Sequence, residues 1–243
     1  MLSSLPVLVY ALLGLSALIN VIVPMSGSST VTPLLALIID PHQAIGFASA
    51  YFVLSSAVRA FFFRKNIQWS EVRTLLLPSI VAAAFGALAL VTIPTTWLLT
   101  IILGFCIYFL LKKLGVWPRS NDSSLALNRF IGVLSGFLQG TGLAGGDLRS
   151  QYLYSHNLNM AEVHGTTAVI GVANFLTATL VRLYTGQLTF LNITPLIYLL
   201  PIIIFATWIG KYLLFKIPKK IADWIIIAIM ISVVLSLAYK IFS

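Results

Sequence analysis

The chain has 243 residues, of which 59% are hydrophobic and only 9% are charged. This composition excludes an ordinary soluble domain and predicts an integral membrane protein built from apolar segments. The net charge of +9 does not indicate nucleic-acid binding, because the lysines and arginines flank apolar segments, where they face lipid headgroups and set orientation.

Runs of about 20 apolar residues predict eight segments in chain order. The first has no positive charge before it, so we expect a retained segment and not a signal peptide. Six segments are plain spans, whereas the first and the fifth are interrupted by small polar residues, PMSGSST (24–30) and TGLAGGD (141–147). Cys106, the only cysteine, is expected to pack as a small apolar side chain. The eight segments are residues 5–39, 43–63, 73–92, 95–112, 129–154, 162–183, 191–214 and 219–241.

The two halves of the chain resemble each other around these interruptions. Placing Gly27 on Gly145 sets SGSSTVTPLL beside AGGDLRSQYL, and the same register sets FASA (47–50) beside GTTA (165–168). We therefore expect a single transmembrane domain made of two repeats and a polar linker. The predicted parts are the first repeat at 1–114, the linker at 115–128 and the second repeat at 129–243.

The charges of the loops predict that the repeats are inverted. The first half is basic in FRKNIQWSEVR (63–73), and the second half is basic in GKYLLFKIPKK (210–220), a non-equivalent loop. Because positive loops lie in the cytoplasm, equivalent loops lie on opposite sides. The linker and the loop at 211–220 are both cytoplasmic only if residues 129–154 form a re-entrant hairpin; for residues 5–39, the repeat alone favours one. The predicted fold is an all-α polytopic membrane protein of two inverted repeats, each a re-entrant helix pair plus three transmembrane helices.

The tip of such a hairpin presents the N-terminus of its second helix to the middle of the membrane. Free backbone N–H groups and a partial positive charge favour an anion there, and inverted hairpins bring two tips together. Small and polar residues at the tips and at nearby helix starts are therefore the predicted substrate-binding residues. They are Ser28, Ser29, Thr30, Ser49, Gln139, Thr141, Gly145, Gly146, Arg149, Thr166, Thr167 and Asn174. The residues predicted to support the site structurally are Gly27, Gly142 and Asp147.

Each of these residues also has a purely structural explanation. Glycines at a break let two helices pack closely, and hydroxyl groups bond between helices. Arg149 either pairs with an anion or forms a local ion pair with Asp147, which is expected to cap the helix. Arg59 and Arg182 lie near predicted span ends, where snorkelling of the side chain to the headgroups is the expected explanation.

Other kinds of site are disfavoured by the residues present. His42, His156 and His164 lack metal-ligand spacing, so no metal or cofactor is predicted, and all three are expected at span edges. The glycine-rich stretch lacks the Gly-Lys-Ser/Thr ending of a phosphate-binding loop. An intramembrane hydrolase needs a histidine within hydrogen-bond reach of a serine at 26–29, and this stays a minor alternative.

The same features resemble the sulfite exporter TauE/SafE family of membrane permeases. The resemblance rests on the duplicated half, the broken helix before Pro33 in SGSSTVTPLL, the FASA and GTTA helix starts and the NIQW loop. The usual GxGGGxxxxP run of the family is SGSSTVTP in the first half, and the second half has GLAGGD with Gln151 in place of the proline. The resemblance implies export of small sulfur oxyanions or organosulfonates, with sulfite as the name-giving case.

The expected function is export of such an anion by alternating access around a midplane site. At a membrane potential of about −100 mV, movement of a monovalent anion out of the cytoplasm is favourable by about 2.3 kcal/mol, so export needs no coupling ion. Import of an anion such as thiosulfate is the main alternative. We expect a bacterial inner-membrane protein that is not an enzyme, binds a small anionic substrate within the lipid bilayer and binds no nucleic acid; its apolar outer helices would suit a homodimer.

Overall fold

The computed structural model describes residues 7–22, 27–114, 125–142, 145–189, 194–214, 216 and 219–242, and these residues form ten α-helices. The helices are α1 (Val7–Ile22), α2 (Gly27–Ile38), α3 (Pro41–Phe62), α4 (Trp69–Ala89), α5 (Thr95–Lys113), α6 (Leu125–Gly140), α7 (Gly145–Ser155), α8 (Met160–Tyr184), α9 (Pro195–Leu213) and α10 (Lys219–Phe242). A 3₁₀ turn at Arg64–Asn66 separates α3 from α4. The described residues contain no β-strand, so the predicted all-α fold is confirmed.

Four helices are long and apolar enough to cross a membrane, namely α3, α4, α8 and α9. They occupy four of the six plain predicted spans. The other two spans contain α5 and α10, which have 19 and 24 residues. The described apolar stretches of these two helices are Thr95–Tyr108 and Met230–Tyr239. This set of helices is that of a polytopic membrane protein, as predicted.

The starts of α3 and α8 are fixed by local capping. The Asp40 carboxylate accepts hydrogen bonds from the backbone N–H groups of His42 at 2.9 Å and Gln43 at 3.2 Å. These bonds satisfy donors that the first turn of a helix leaves unpaired. Asn159 and Glu162 form a reciprocal capping box at the start of α8. The two helices that border the predicted site therefore begin at defined positions.

The helix bundle has two ends, which we call the basic end and the far end. At the basic end α3 runs into the basic 3₁₀ turn, and Lys211 near the end of α9 donates a hydrogen bond to the Phe62 carbonyl oxygen at 2.7 Å. At the far end, Nε2 of His42 in α3 lies 3.0 Å from the Ile93 carbonyl oxygen, between α4 and α5. Basic residues from both halves of the chain therefore lie at one end.

The second hairpin, α6 with α7, begins and ends at the basic end. Three glycines of α6 face three residues of α4 in the same chain order, so α6 runs parallel to α4 and away from the basic end. The helix α7 then returns, because the Tyr152 hydroxyl donates to the Glu71 carboxylate in the first turn of α4 at 3.0 Å. The two arms α6 and α7 therefore leave the basic end and return to it, and re-entry of this hairpin into the membrane stays a prediction. The α6–α4 pairs are Gly132 with Leu75, Gly136 with Ser79 and Gly140 with Ala83.

The first hairpin, α1 with α2, begins and ends at the far end. Gly14 of α1 lies against Ile202 of α9, and Val21 lies against Gly210, so the two helices run parallel toward the basic end. The helix α2 then leads back to the start of α3 at the far end. The two hairpins therefore enter the bundle from opposite ends.

The helices α3 and α8, which contain the aligned FASA and GTTA stretches, cross the bundle antiparallel. Ser49 near the start of α3 contacts Arg182 near the end of α8. Ser56 further along α3 lies against Gly171, which comes earlier in α8. The two halves show the same pattern of helix contacts. In one part of the bundle, α9 packs against α1 and α3. In the other, α4 packs in the same way against α6 and α8.

Candidate functional site

A network of buried polar side chains lies where the second hairpin turns, midway along α4 and α8. The Gln139 side-chain oxygen accepts hydrogen bonds from Arg149 Nη1 at 3.0 Å and from Asn174 Nδ2 at 2.7 Å. The Asn174 side-chain oxygen accepts from the Ser79 hydroxyl at 3.0 Å. All four side chains are buried, and they come from α6, α7, α8 and α4. This network therefore joins the hairpin tip to two membrane-spanning helices.

Arg149 is the charged member of the network and is only 1% exposed. Its helix begins at Gly145, where any side chain would collide with Gln139 and the Ser135 backbone, so glycine lets α7 start directly against α6. Arg149 Nη2 donates to the Thr167 carbonyl oxygen of α8 at 3.2 Å. The guanidinium group thus connects both arms of the hairpin with α8.

Arg182 holds the same hairpin from the far-end side of the network. Its Nη1 donates to the Ser49 hydroxyl at 2.8 Å, and its Nη2 donates to the Gly140 carbonyl oxygen. Arg182 is 1% exposed, so the expectation that it snorkels to the headgroups is wrong. Its position near the end of α8 does not bring it to the membrane surface, because α3 and α6 cover it.

Arg59 holds the first hairpin in a similar way. Its Nη1 donates to the Asn20 side-chain oxygen at 2.8 Å and to the Asn20 carbonyl oxygen at 3.4 Å, in the last turn of α1. Arg59 is 7% exposed, so snorkelling is wrong for this residue too. The side chain turns inward to α1 instead of outward to the basic end.

The interior carries more positive than negative side chains. In the described part of the chain, the buried charged side chains are those of Arg59, Arg149, Arg182 and Asp147. The hydrogen bonds of Arg59 and Arg182 go to uncharged oxygens, which leave the guanidinium charge uncompensated. Because buried charge is costly within a membrane, an excess of this kind suits an anionic ligand.

The structure brings several predicted site residues together. Gln139, Arg149 and Asn174 form the network, and Thr167 takes part through its carbonyl oxygen. A side chain at Gly146 would lie 3.4 Å from Gln139 Nε2, so this glycine borders the network. The role of these residues in substrate binding stays a prediction.

Other predicted hydroxyl groups are bonded outside the network. Thr166 accepts from the Gln68 backbone N–H at 3.0 Å near the basic end. The Ser49 hydroxyl accepts a hydrogen bond from Arg182, and the Thr141 hydroxyl donates to the Leu138 carbonyl oxygen in its own turn at 2.8 Å. The Thr167 hydroxyl likewise donates to a carbonyl oxygen of its own helix at 2.6 Å. The bonds of Ser49 and Thr166 join different elements, whereas those of Thr141 and Thr167 stay within one turn or helix. A role of these residues in substrate binding stays a prediction.

The two hairpins contact each other at the turn of the second one. Gly142 has a φ of 78°, which glycine adopts readily, and its carbonyl oxygen accepts a hydrogen bond from the Thr32 hydroxyl of α2 at 3.1 Å. Thr30 is buried in α2, and Asp147 is buried in α7. Gly27, Ser28 and Ser29, predicted at the first tip, begin α2, and their surroundings lie outside what the structure describes.

Two polar residues of this region were not singled out by the sequence analysis. Ser79 and Asn20 each interrupt a long apolar run, LLLPSIVAAA and LSALINVIV. A polar residue within a long apolar run indicates that the side chain has a hydrogen-bond partner inside the protein. That partner lies on another helix, so the sequence of the run does not identify it.

His164 lies near the start of α8, at the span edge where it was expected. It is completely buried and stacks on Phe63, with ring centroids 5.1 Å apart. Neither of its ring nitrogens has a hydrogen-bond partner among the described residues. The cause of this burial is the packing of the end of α3 over the first turns of α8.

The sequence matches the family model described as sulfite exporter TauE/SafE over residues 9–237, which is nearly the whole chain. The match includes both hairpins and every helix that contributes to the buried network. No curated protein and no solved structure matches the chain.

Proposed function

The chain belongs to the sulfite exporter TauE/SafE family, and we propose that it exports a small sulfur-containing anion by alternating access. The family is one of membrane transporters for sulfur-containing anions, and the apolar helices are those of a multi-pass membrane protein. The proposed substrate is sulfite or an organosulfonate. Its proposed binding place is the network of Gln139, Arg149 and Asn174.

The observation that carries this proposal is the excess of positive charge in the interior. Three arginines and one aspartate are buried among the described residues. A sulfite or sulfonate group has oxygens that accept hydrogen bonds, and a guanidinium group presents paired N–H donors to such oxygens. Arg149 Nε is buried and has no hydrogen-bond partner in the part of the chain that the structure describes, so we take this donor to be available to an anion.

The opposed hairpins support alternating access. One hairpin enters from the far end and the other from the basic end, and the equivalent helices α3 and α8 run antiparallel. This is the relation that inverted repeats have in transporters with a site between their halves. We propose that the two halves are inverted repeats, and that the bond from Thr32 to Gly142 changes when the site opens to the other side.

The distribution of charge supports export from the cytoplasm. Basic loops mark the cytoplasmic side of a membrane protein, so we assign the basic end and the linker at 115–128 to the cytoplasm of a bacterial inner membrane. With an inside-negative potential of about 100 mV, outward movement of one negative charge is favourable by about 2.3 kcal/mol. Export of an anion therefore needs no coupling ion.

The test is a flux assay in proteoliposomes loaded with sulfite, thiosulfate, taurine or sulfoacetate. We expect efflux of sulfite or of an organosulfonate, at a rate that rises as the lumen is made more negative. Arg149→Ala should lower this flux by roughly a hundredfold, because it removes a buried charged donor from the anion. Arg73→Ala is the matched control, since Arg73 is an exposed arginine of α4.

Each other outcome rejects a definite part of the proposal. If no sulfur-containing anion moves, the substrate class is wrong. If flux follows the pH gradient and not the potential, a proton-coupled importer replaces the exporter. If Arg149→Ala transports like Arg73→Ala, the binding site is elsewhere.

A further inference from the structure

A group of buried donors without acceptors lies between α3, α7 and α8, and the predicted binding residues include only one of them. The Ser56 hydroxyl, Arg59 Nε and Arg149 Nε have no hydrogen-bond partner among the described residues. The three side chains are 0%, 7% and 1% exposed. Buried donors are normally satisfied, so three in one region call for a common acceptor.

Ser56 and Arg149 border one place in the bundle, and Arg59 lies one helical turn from it on α3. The position that a Cβ atom would take at Gly171 of α8 lies 3.2 Å from Ser56 Oγ and 3.8 Å from Arg149 Nη2. Arg59 follows Ser56 by one helical turn, so both lie on the same face of α3. Arg59 is also close enough for its charge to act on that of Arg149. Gly171 lets α3 come close to α8 at this place.

The chemistry of these donors indicates a particular kind of acceptor. Two guanidinium groups repel each other in a region of low dielectric constant, and each has a free Nε beside an Nη, the pair that binds an oxyanion in bidentate fashion. A single negative charge compensates one of them. A compact anion with two negative charges compensates both and offers oxygens to the hydroxyl group as well.

We propose that Ser56 and Arg59 of the first half, together with Arg149 of the second, form a clamp that selects compact dianionic oxyanions over monoanionic sulfonates. The inference rests on the proposed transport function and adds the charge of its substrate. It gives Arg59 a second role besides its bond to Asn20. It also makes the site depend on both halves of the chain, although α7 alone carries the charge at the hairpin tip.

The clamp is tested by competition in proteoliposomes that exchange labelled sulfite. Thiosulfate, a dianion, and methanesulfonate, a monoanion, are added as unlabelled competitors, and the ratio of their inhibition constants is measured. In the wild-type protein we expect thiosulfate to compete roughly a hundredfold more tightly, because it engages a second buried charge. Arg59→Gln should reduce this ratio to below about tenfold, since glutamine keeps an amide donor for Asn20 but has no charge.

Ser56→Ala gives a second variant that does not depend on the stability of the first. It removes a hydroxyl group that has no protein partner, so the fold loses no described hydrogen bond. We expect it to weaken thiosulfate competition by about fivefold. Thr179→Val is the matched control, because Thr179 Oγ1 is also buried without a partner but lies two turns further along α8. The control should keep the wild-type ratio.

The ratio separates this inference from the proposed function. If the wild-type protein exchanges sulfite but binds both competitors equally, the clamp is wrong and the transport function stands. An unchanged ratio in both Arg59→Gln and Ser56→Ala also overturns the clamp. Absence of sulfite exchange in the wild-type protein rejects the proposed function itself.

Discussion

The two hairpins have the same path and different chemistry. In each, the last turn of the first arm is held by an arginine from the following long helix of the same half: Arg59 binds Asn20, and Arg182 binds Gly140. The second arms differ, because α7 contains Asp147 and Arg149 where the register with α2 gives Ser29 and Val31. The described part of α2 has no charged residue.

If the halves are the repeats that we propose, this difference indicates how a duplicated fold acquires the proposed single site. The supporting contacts are repeated, so both tips are held in place by the same kind of bond. The charge is not repeated, and it lies on the second hairpin only. One central anion needs positive charge at one place only. A pair of hairpins of which only one carries charge therefore suits the proposed site. The described contact of the first hairpin at this place is neutral, because the Thr32 hydroxyl donates to the Gly142 carbonyl oxygen.

The largest expected effect concerns how each first arm packs. Gly136 of α6 faces the backbone of Ser79, 2.6 Å from its Cα at the Cβ position, whereas Gly14 of α1 faces only the side chain of Ile202. Gly136→Ala should lower the free energy of unfolding by about 3 kcal/mol, and Gly14→Ala by less than about 1 kcal/mol, since a backbone cannot move aside. Thermal unfolding in detergent measures both. Equal losses would mean that the two first arms pack alike.

A smaller effect is expected when the holding arginines are replaced by lysine, which keeps the charge. Arg182 uses two nitrogens to reach Ser49 and Gly140, and one ammonium group cannot replace both. Arg59 uses Nη1 for both of its bonds to Asn20. Arg182→Lys should therefore cost about 1–2 kcal/mol of stability, and Arg59→Lys about half of that. The same unfolding measurement decides, and a larger loss for Arg59→Lys would reverse the comparison.

The smallest effect concerns the bond between the hairpins. Thr32→Val keeps the volume of the side chain and removes the donor to the Gly142 carbonyl oxygen. We expect a stability loss of about 1 kcal/mol and a change of less than about fivefold in sulfite flux. Thr179→Val serves as control, because the Thr179 hydroxyl is buried and has no hydrogen-bond partner among the described residues. A loss of all flux in Thr32→Val would show that this bond is required for the transport cycle.

The sequence predicted the hairpins better than it predicted the site. The path of α6–α7 follows from a broken apolar run and from the charges of distant loops, which a single chain displays directly. The path of α1–α2 follows only from its broken run and from the similarity of the two halves. Gln139, Arg149 and Asn174 were predicted because they lie at or near a break or a helix start. In each case a local pattern was enough.

Arg59 and Arg182 were misjudged for a common physical reason. Each lies within a few turns of a helix end, where a side chain on an isolated helix reaches the membrane surface. Whether it does so depends on the helix packed against that end, and this packing joins residues far apart in sequence, such as Arg182 and Ser49. Burial by a neighbouring helix leaves no mark on the sequence of the buried helix.

The most direct test of the account is equilibrium binding of radiolabelled sulfite to the purified protein in detergent. Wild-type protein and Val31→Ala, the variant at the equivalent position of the first hairpin, should bind sulfite saturably at one site per chain. Arg149→Ala should weaken this binding by roughly a hundredfold, because the charged donor of the second hairpin is lost. Equal binding by Arg149→Ala and the wild-type protein would contradict the claim that the second hairpin holds the anion.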